Sequence, residues 1–275
     1  MICFPNAKIN LGLRIIEKRP DGYHNLETVF YPIGLKDALE SVPNTNSTNY
    51  SLSVNDLNET DKAGDLENNL VTKAFRLIQS KYSLQSADFF LHKAIPTGAG
   101  LGGGSSDAAF TLKLINETNR LGLTETELEG ISAHLGADCA FFIKNKPIFA
   151  SGIGTVFENI ALSLKGYYLI LVKPNIHVST AEAYSLVHPA RPELSLKNVL
   201  TNPVSTWKDT VVNDFEASVF ERYPQIRDIK EQMYLNGAVY ASMSGSGSSV
   251  FGIFTEPVDL RQYFKACFYW SETLA

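Results

Sequence analysis

Five glycines fall within residues 98–104, in the run Pro96-Thr97-Gly98-Ala99-Gly100-Leu101-Gly102-Gly103-Gly104-Ser105-Ser106. Glycine at this density costs conformational entropy, so it asks for a geometric reason. One reason is chemical: successive bare N–H groups can point inward around a phosphate. A helix starting immediately afterwards adds about half a positive charge at its N-terminus. The alternative is a flexible surface turn. The flanking pattern favours the cradle, because Phe89–His92 reads as a strand and Ala109, Leu112 and Ile115 recur at helical spacing.

Other glycine-loop chemistries fit less well. No Gly-Lys dipeptide occurs in the chain, which excludes a Walker A loop. Gly98-x-Gly100-x-x-Gly103 formally matches the dinucleotide fingerprint, but the acidic ribose partner expected about 20 residues later is absent, since Ile115–Arg120 continues the helix. Neither a Gly-x-Ser-x-Gly elbow nor a His-Glu-x-x-His site is present.

Three more side chains could serve such a loop. Ile9, Leu11, Leu13 and Ile15 alternate with polar or small residues, which predicts a strand with one buried face and places Lys8 and Asn10 together on the other. Asp138 follows a helix that opens with the capping box Thr124-Glu125-Thr126-Glu127 and is expected to end at Gly136 as its C′ residue. Phosphoryl transfer to an alcohol needs a held donor phosphate, charge neutralisation and a base for the hydroxyl proton. Lys8 and Asp138 have the right chemistry for the last two, although spacing alone reads them more simply as a solvated lysine and a helix-terminal aspartate.

The elements that must position these groups follow from the patterning. Pro20-Asp21-Gly22 is a turn signal, so the chain opens with a hairpin whose second strand covers about 26–33 and whose tip is followed by Tyr23 and His24. Residues 43–69 read as an exposed connection with a weak strand at 50–54, and 69–82 as an amphipathic helix carrying Leu70, Ala74, Leu77, Ile78 and Tyr82. Ser151-Gly152-Ile153-Gly154 reads as a bulge or hinge, and Tyr167–Val172 as a buried strand. Helices are expected near 180–187, 214–222, 225–236 and 258–267, with a strand, glycine turn and strand over 240–254.

Composition narrows the class. The chain has 275 residues, which at roughly 150 per domain suits two lobes or one large α/β unit. With 44% apolar and 19% charged residues it is globular, and its net charge of −5 provides no broad cationic field for nucleic acid or an anionic membrane. No apolar run approaches the ~20 residues that span a bilayer, and no signal peptide is visible at the N-terminus. Cys3, Cys139 and Cys267 are isolated and odd in number, so no disulfide framework is expected, and the chain reads as cytoplasmic, with sequons such as Asn46-Ser47-Thr48 arising by chance. His92, His134, His177 and His188 show no metal-ligand spacing.

The glycine run resembles the ATP-phosphate loop of the GHMP kinases. Pro5-Asn6-Ala7-Lys8-Ile9-Asn10-Leu11 is similar to that family's first motif, and Met243-Ser244-Gly245-Ser246-Gly247-Ser248-Ser249 to its third, a glycine turn in which Gly245, Ser246 and Gly247 support the first loop. The resemblance covers residues 5 to about 254. It implies an α+β, two-lobed architecture of mixed sheets and helices with the active site in the inter-lobe cleft. The domains expected are 1–156, binding ATP, and 157–275.

Arg19-Pro20-Asp21-Gly22-Tyr23-His24, the triple glycine and Leu135-Gly136-Ala137-Asp138-Cys139 resemble the branch of the family that acts on 4-diphosphocytidyl-2-C-methyl-D-erythritol, a cytidine-diphosphate-linked methylerythritol. That resemblance implies ATP-dependent phosphorylation of the substrate's 2-hydroxyl in the non-mevalonate route to isoprenoid precursors. Transfer is direct and in line, with Asp138 as base, Lys8 as electrostatic partner and residues Pro96 to Ser106 holding ATP. Mg²⁺ would arrive with the nucleotide, near Ser106, without a protein-only metal site. Tyr23 and His24 are implied in the cytidine pocket, with Asn10, Thr180 and Tyr184 also on the substrate and Lys93 near the nucleotide. Two alternatives stay open: a homoserine- or phosphomevalonate-type kinase of the same family, or a catalytically silent nucleotide-binding homologue. Asp107 departs from the asparagine of some relatives, and a carboxylate there either caps the helix or crowds the triphosphate.

Overall fold

A computed structural model describes residues 1–44, 50–57, 66–185 and 187–275. The parts of the 43–69 connection at 45–49 and 58–65, the sequon at 46–48 and residue 186 of the helix expected over 180–187 lie outside the described residues. In chain order the elements are β1 (Ile2–Cys3), β2 (Asn6–Lys18), β3 (His24–Lys36), β4 (Ala38–Pro43), β5 (Ser51–Asp56), α1 (Leu70–Gln79), β6 (Ala87–Lys93), α2 (Gly103–Thr118), α3 (Glu125–Ser132), α4 (Cys139–Lys144), β7 (Ile148–Ser151), β8 (Val156–Asn159), β9 (Tyr168–Lys173), α5 (Thr180–Ser185), α6 (Leu196–Val199), α7 (Phe215–Arg222), α8 (Pro224–Leu235), β10 (Tyr240–Met243), β11 (Val250–Phe254) and β12 (Phe268–Thr273). Helices and mixed sheets together give the α+β class that the sequence implied.

Two compact units divide the chain, one of residues Met1–Ala7, Leu35–Thr97 and Gly102–Lys146, the other of Lys8–Gly34, Gly98–Leu101 and Pro147–Ala275. They follow the sheets instead of the order of the chain. The sequence division at 156/157 falls inside β8, because Gly152 and Gly154 form the turn of the β7–β8 hairpin and not a hinge.

In the first unit β1, β4, β6 and β5 form one sheet in that order, antiparallel except for the β5–β6 pair. Helix α2 packs against α1, α3 and α4. Asn69 caps α1 by accepting the Val71 N–H at 2.9 Å. The helix buries Val71, Ala74, Phe75 and Ile78, a stripe turned slightly from the expected one, and stops before Tyr82. The capping box at Thr124 and Glu127 forms as expected. Helix α3, however, ends at Ser132 and not at Gly136, and a turn carries the chain into the short α4. No local signal separated the apolar run of α4 from a strand.

In the second unit β2, β3, β7 and β8 form one sheet, and β10, β11, β9 and β12 another that is antiparallel throughout. Its core gathers Leu13, Ile15, Ile170, Val172, Phe215, Ile226, Met233, Met243 and Val250. The helix expected over 258–267 is instead a single 3₁₀ turn at Arg261–Tyr263 followed by β12. Pairing with β9, almost a hundred residues earlier, overrides the local pattern there. Among the described residues no helix is long and apolar enough to cross a membrane.

Candidate active site

Strand β2 alternates as expected, yet both of its faces are buried over Asn6–Leu13. Lys8 is 3% exposed and Asn10 2%. The polar face is not solvated, because the short glycine segment 98–101 and the Ser244–Gly247 turn close over it within the same unit. Lys8 donates from Nζ to Asn10 Oδ1 at 2.6 Å and to the Gly100 carbonyl at 3.2 Å, and its ammonium stands 5.0 Å from the centre of the Phe30 ring. A lysine this buried keeps its charge only if such partners replace water.

The Gly100 carbonyl is a junction. Ser244 Oγ donates to it at 2.9 Å and accepts the Asn10 backbone N–H at 3.2 Å. Lys8 N–H donates to the Leu101 carbonyl at 3.0 Å, so strand and loop are joined by backbone as well. Gly100 adopts φ +76°, and a Cβ built there would lie 2.0 Å from the Ser244 carbonyl oxygen. Only glycine lets the two glycine-rich segments meet. Asn213 holds the second segment from below, its amide donating to the Met243 and Gly245 carbonyls at 2.8 Å each. Thr180 Oγ1 is 3.2 Å from Ser246 Oγ, and the His24 and Tyr184 rings stack with centroids 5.0 Å apart, Tyr184 in turn meeting Phe215 edge-on. Tyr23 is largely exposed at the hairpin tip.

In the other unit the glycine run becomes helix at Gly103, and Ser106 N–H donates to the Gly102 carbonyl at 2.9 Å. Ser106 Oγ is buried and has no hydrogen-bond partner among the described residues. Lys93 is not exposed. Its ammonium bridges Asp37 and Asp107, at 2.7 Å from Asp107 Oδ2, with all three side chains buried. Asp37 Oδ1 also accepts the N–H groups of Ala94 and Ile95, tying down the end of β6 just before the loop. Asp107 therefore does not cap α2 and does not face solvent. Burial pushes its carboxyl up to about 7, against the pull of the Lys93 ammonium. Burial alone would lower the Lys93 ammonium, but Asp107 and Asp37 outweigh it and hold it above the ordinary lysine value.

Asp138 is half-buried at the residue preceding α4, so a helix start places it and not the helix end that the sequence suggested. Its neighbour Cys139 is buried, and burial pushes that thiol up to about 11. Among the described residues no group of three or more His, Cys, Asp or Glu side chains is arranged to hold a metal ion.

Sequence reasoning missed Asp37, Asn213 and Thr28. Thr28 carried a signal, since it sits in phase with buried Leu26 and Phe30 on β3 and so falls inside an apolar register. Asn213 and Asp37 had none, because their partners are distant in the chain.

Comparison with known proteins identifies the family. Residues 69–146 match the family model for the GHMP kinases N terminal domain, and residues 196–269 that for the GHMP kinases C terminal. A Bacteroides fragilis protein named 4-diphosphocytidyl-2-C-methyl-D-erythritol kinase is 56% identical over 270 residues, covering 98% of this chain and 97% of its own. A Parabacteroides distasonis protein of the same name is 53% identical, with both chains covered in full. The crystal structure of a 4-(cytidine 5'-diphospho)-2C-methyl-D-erythritol kinase superimposes with TM-score 0.82 at 29% identity over 98% of both chains. The mevalonate kinase of Methanococcus jannaschii shares the fold, with TM-score 0.74 at 15% identity over 100% of this chain and 98% of its own.

Proposed function

The chain belongs to the GHMP kinase family and is an ATP-dependent small-molecule kinase. We propose that its substrate is 4-diphosphocytidyl-2-C-methyl-D-erythritol, the compound in the names of its relatives, and that the 2-hydroxyl is the group phosphorylated, as the resemblance of its motifs implies. The observation that carries the mechanism is the buried junction of Lys8, Gly100 and Ser244, where a cation is fixed against the loop expected to hold ATP.

The backbone N–H groups of Thr97 to Ser106 that are not spent within the fold bind the triphosphate, with Pro96 setting the entry to the loop and the N-terminus of α2 adding positive potential. Lys8 neutralises charge on the transferred phosphoryl group, held in place by Asn10. Asp138 accepts the proton of the attacking hydroxyl, so that the O–P bond to the substrate forms as the bond to the ADP oxygen breaks. ADP leaves with the electron pair of that bond, and no covalent phospho-enzyme is involved. Ser106 Oγ, buried without a partner among the described residues, fits a nucleotide that brings its own Mg²⁺; the ion would supply further neutralisation of phosphate charge. His24 and Tyr184, already stacked, offer an aromatic platform for the cytosine ring, and Tyr23 is the exposed aromatic beside it. Thr180, beside Ser246, contacts the substrate's diphosphate-linked end. Three free cysteines suit a cytoplasmic setting.

ADP release measured with this substrate, its 2-deoxy analogue, homoserine and phosphomevalonate tests the assignment. Turnover is expected with the first alone. Asp138→Ala is expected to retain ATP binding and to lose about 10²–10⁴ in kcat. Near-normal kcat in that variant, or turnover of the 2-deoxy analogue, would contradict the mechanism.

A further inference from the structure

Thr28 has no role in the chemistry above, yet it is fully buried at the centre of β3 and makes two side-chain hydrogen bonds. Its hydroxyl donates to the Gly12 carbonyl at 2.6 Å and accepts from Asn10 Nδ2 at 2.9 Å. Gly12 adopts φ +67° in the middle of β2, a conformation that leaves its carbonyl bonded to this side chain.

A hydroxyl has one proton to give. A backbone carbonyl can only accept, so the short Thr28–Gly12 contact takes that proton. The Thr28 oxygen can then only accept from its other neighbour. The end of the Asn10 amide facing Thr28 must therefore be its NH₂ group, which turns Oδ1 toward the Lys8 ammonium 2.6 Å away. With the amide reversed, two oxygens would meet at Thr28 with no proton between them, and an NH₂ group would face an ammonium. Thr28, Asn10 and Lys8 are 0%, 2% and 3% exposed, so water cannot stand in for a lost partner.

We propose that Thr28 is a positioning residue for the kinase reaction: through the direction of one hydroxyl proton it sets the Asn10 amide, and through that amide it orients Lys8. This rests on the assignment of Lys8 given above. Removing the hydroxyl leaves the amide free to reverse and deprives the ammonium of the Asn10 Oδ1 acceptor, while the glycine loop keeps its own bond to Ser244.

Thr28→Val preserves the side-chain shape and removes the hydroxyl; Thr28→Ser keeps the hydroxyl. Steady-state ADP release with MgATP and 4-diphosphocytidyl-2-C-methyl-D-erythritol is expected to show a fall in kcat of about ten- to a hundredfold for Thr28→Val, the range for one buried charge-assisted hydrogen bond. KM for ATP should stay within about threefold, and Thr28→Ser should recover most of the kcat. Because Thr28 acts through Lys8, Thr28→Val/Lys8→Met should be no slower than Lys8→Met alone. Should thermal melting find Thr28→Val unfolded, Thr28→Ala and Thr28→Cys carry the same expectation. Lys8→Met inactive with Thr28→Val at normal kcat overturns this inference alone. Lys8→Met at normal kcat overturns the Lys8 assignment and this inference with it. A loss shared between kcat and KM and not recovered by serine also overturns it, since that is the mark of a structural defect.

Discussion

Gly100→Ala tests the junction that joins the two glycine-rich segments. The added Cβ would sit 2.0 Å from the Ser244 carbonyl oxygen and 3.2 Å from that of Gly247. Both are backbone atoms and cannot swing aside as a flexible side chain would. Alanine at φ +76° also carries about 1 kcal/mol of left-handed strain. Relief requires the loop or the turn to move by roughly 1 Å, which breaks the Ser244 and Lys8 bonds to the Gly100 carbonyl; one is neutral and the other charge-assisted. The combined cost is about 3–5 kcal/mol, and melting should fall by about 10 °C. A phosphate cradle misplaced by about 1 Å loses far more in rate than in stability, so kcat/KM for ATP should drop by about a hundredfold. ADP release with titrated ATP, alongside a thermal melt, reads both quantities. Gly130→Ala is the control: the position is helical in α3 and, apart from its chain neighbours and its own helix backbone, no atom of the described residues lies within 4 Å of the new Cβ, so stability should rise by about 0.5–1 kcal/mol with turnover unchanged. Normal ATP kinetics and melting in Gly100→Ala would refute the reasoning.

Lys93→Met leaves Asp37 and Asp107 buried together without their cation, so it should destabilise by about 3–5 kcal/mol in chemical denaturation; a loss below about 1 kcal/mol would mean that the pair shares a proton instead. The Asp107 carboxyl, at about 7 when folded against an ordinary 3.8, binds its proton more tightly in the folded state. Its contribution to stability is therefore full below the ordinary value and is lost as pH rises toward 7. From pH 5 to 8 the melting temperature of the parent chain should decline relative to that of Asp107→Asn, and parallel curves would count against this.

Much of the site was legible because its signals are local. The strand, glycine run and helix over residues 87–118 follow from alternation, glycine density and helical spacing within one window. The capping box is a four-residue signal and appears where it was read. Helix α4 carries no distinctive local signal because six apolar-rich residues suit a buried helix or a strand equally, and Gly136 mimics a C′ residue although α3 ends at Ser132. Strand β12 was missed because its partner β9 is far away in sequence. Glycine marks bulges, hinges and hairpin turns alike, so Ser151–Gly154 reads as a bulge or hinge in the sequence, and only the pairing of β7 with β8 makes it a hairpin turn.

By itself the sequence determined the residue types that phosphoryl transfer needs, their order along the chain and the demand for glycine at residues 98–104. Tertiary structure decided their electrostatic setting. Lys8 and Lys93 both look like ordinary surface lysines in the sequence, yet one is buried against a carbonyl junction and the other between two carboxylates. Burial and charge pairing depend on atoms that residues far apart in the chain bring within about 3 Å of each other, and no local pattern encodes that approach. The orientation of Asn10, set by where a single threonine proton points, is of the same kind.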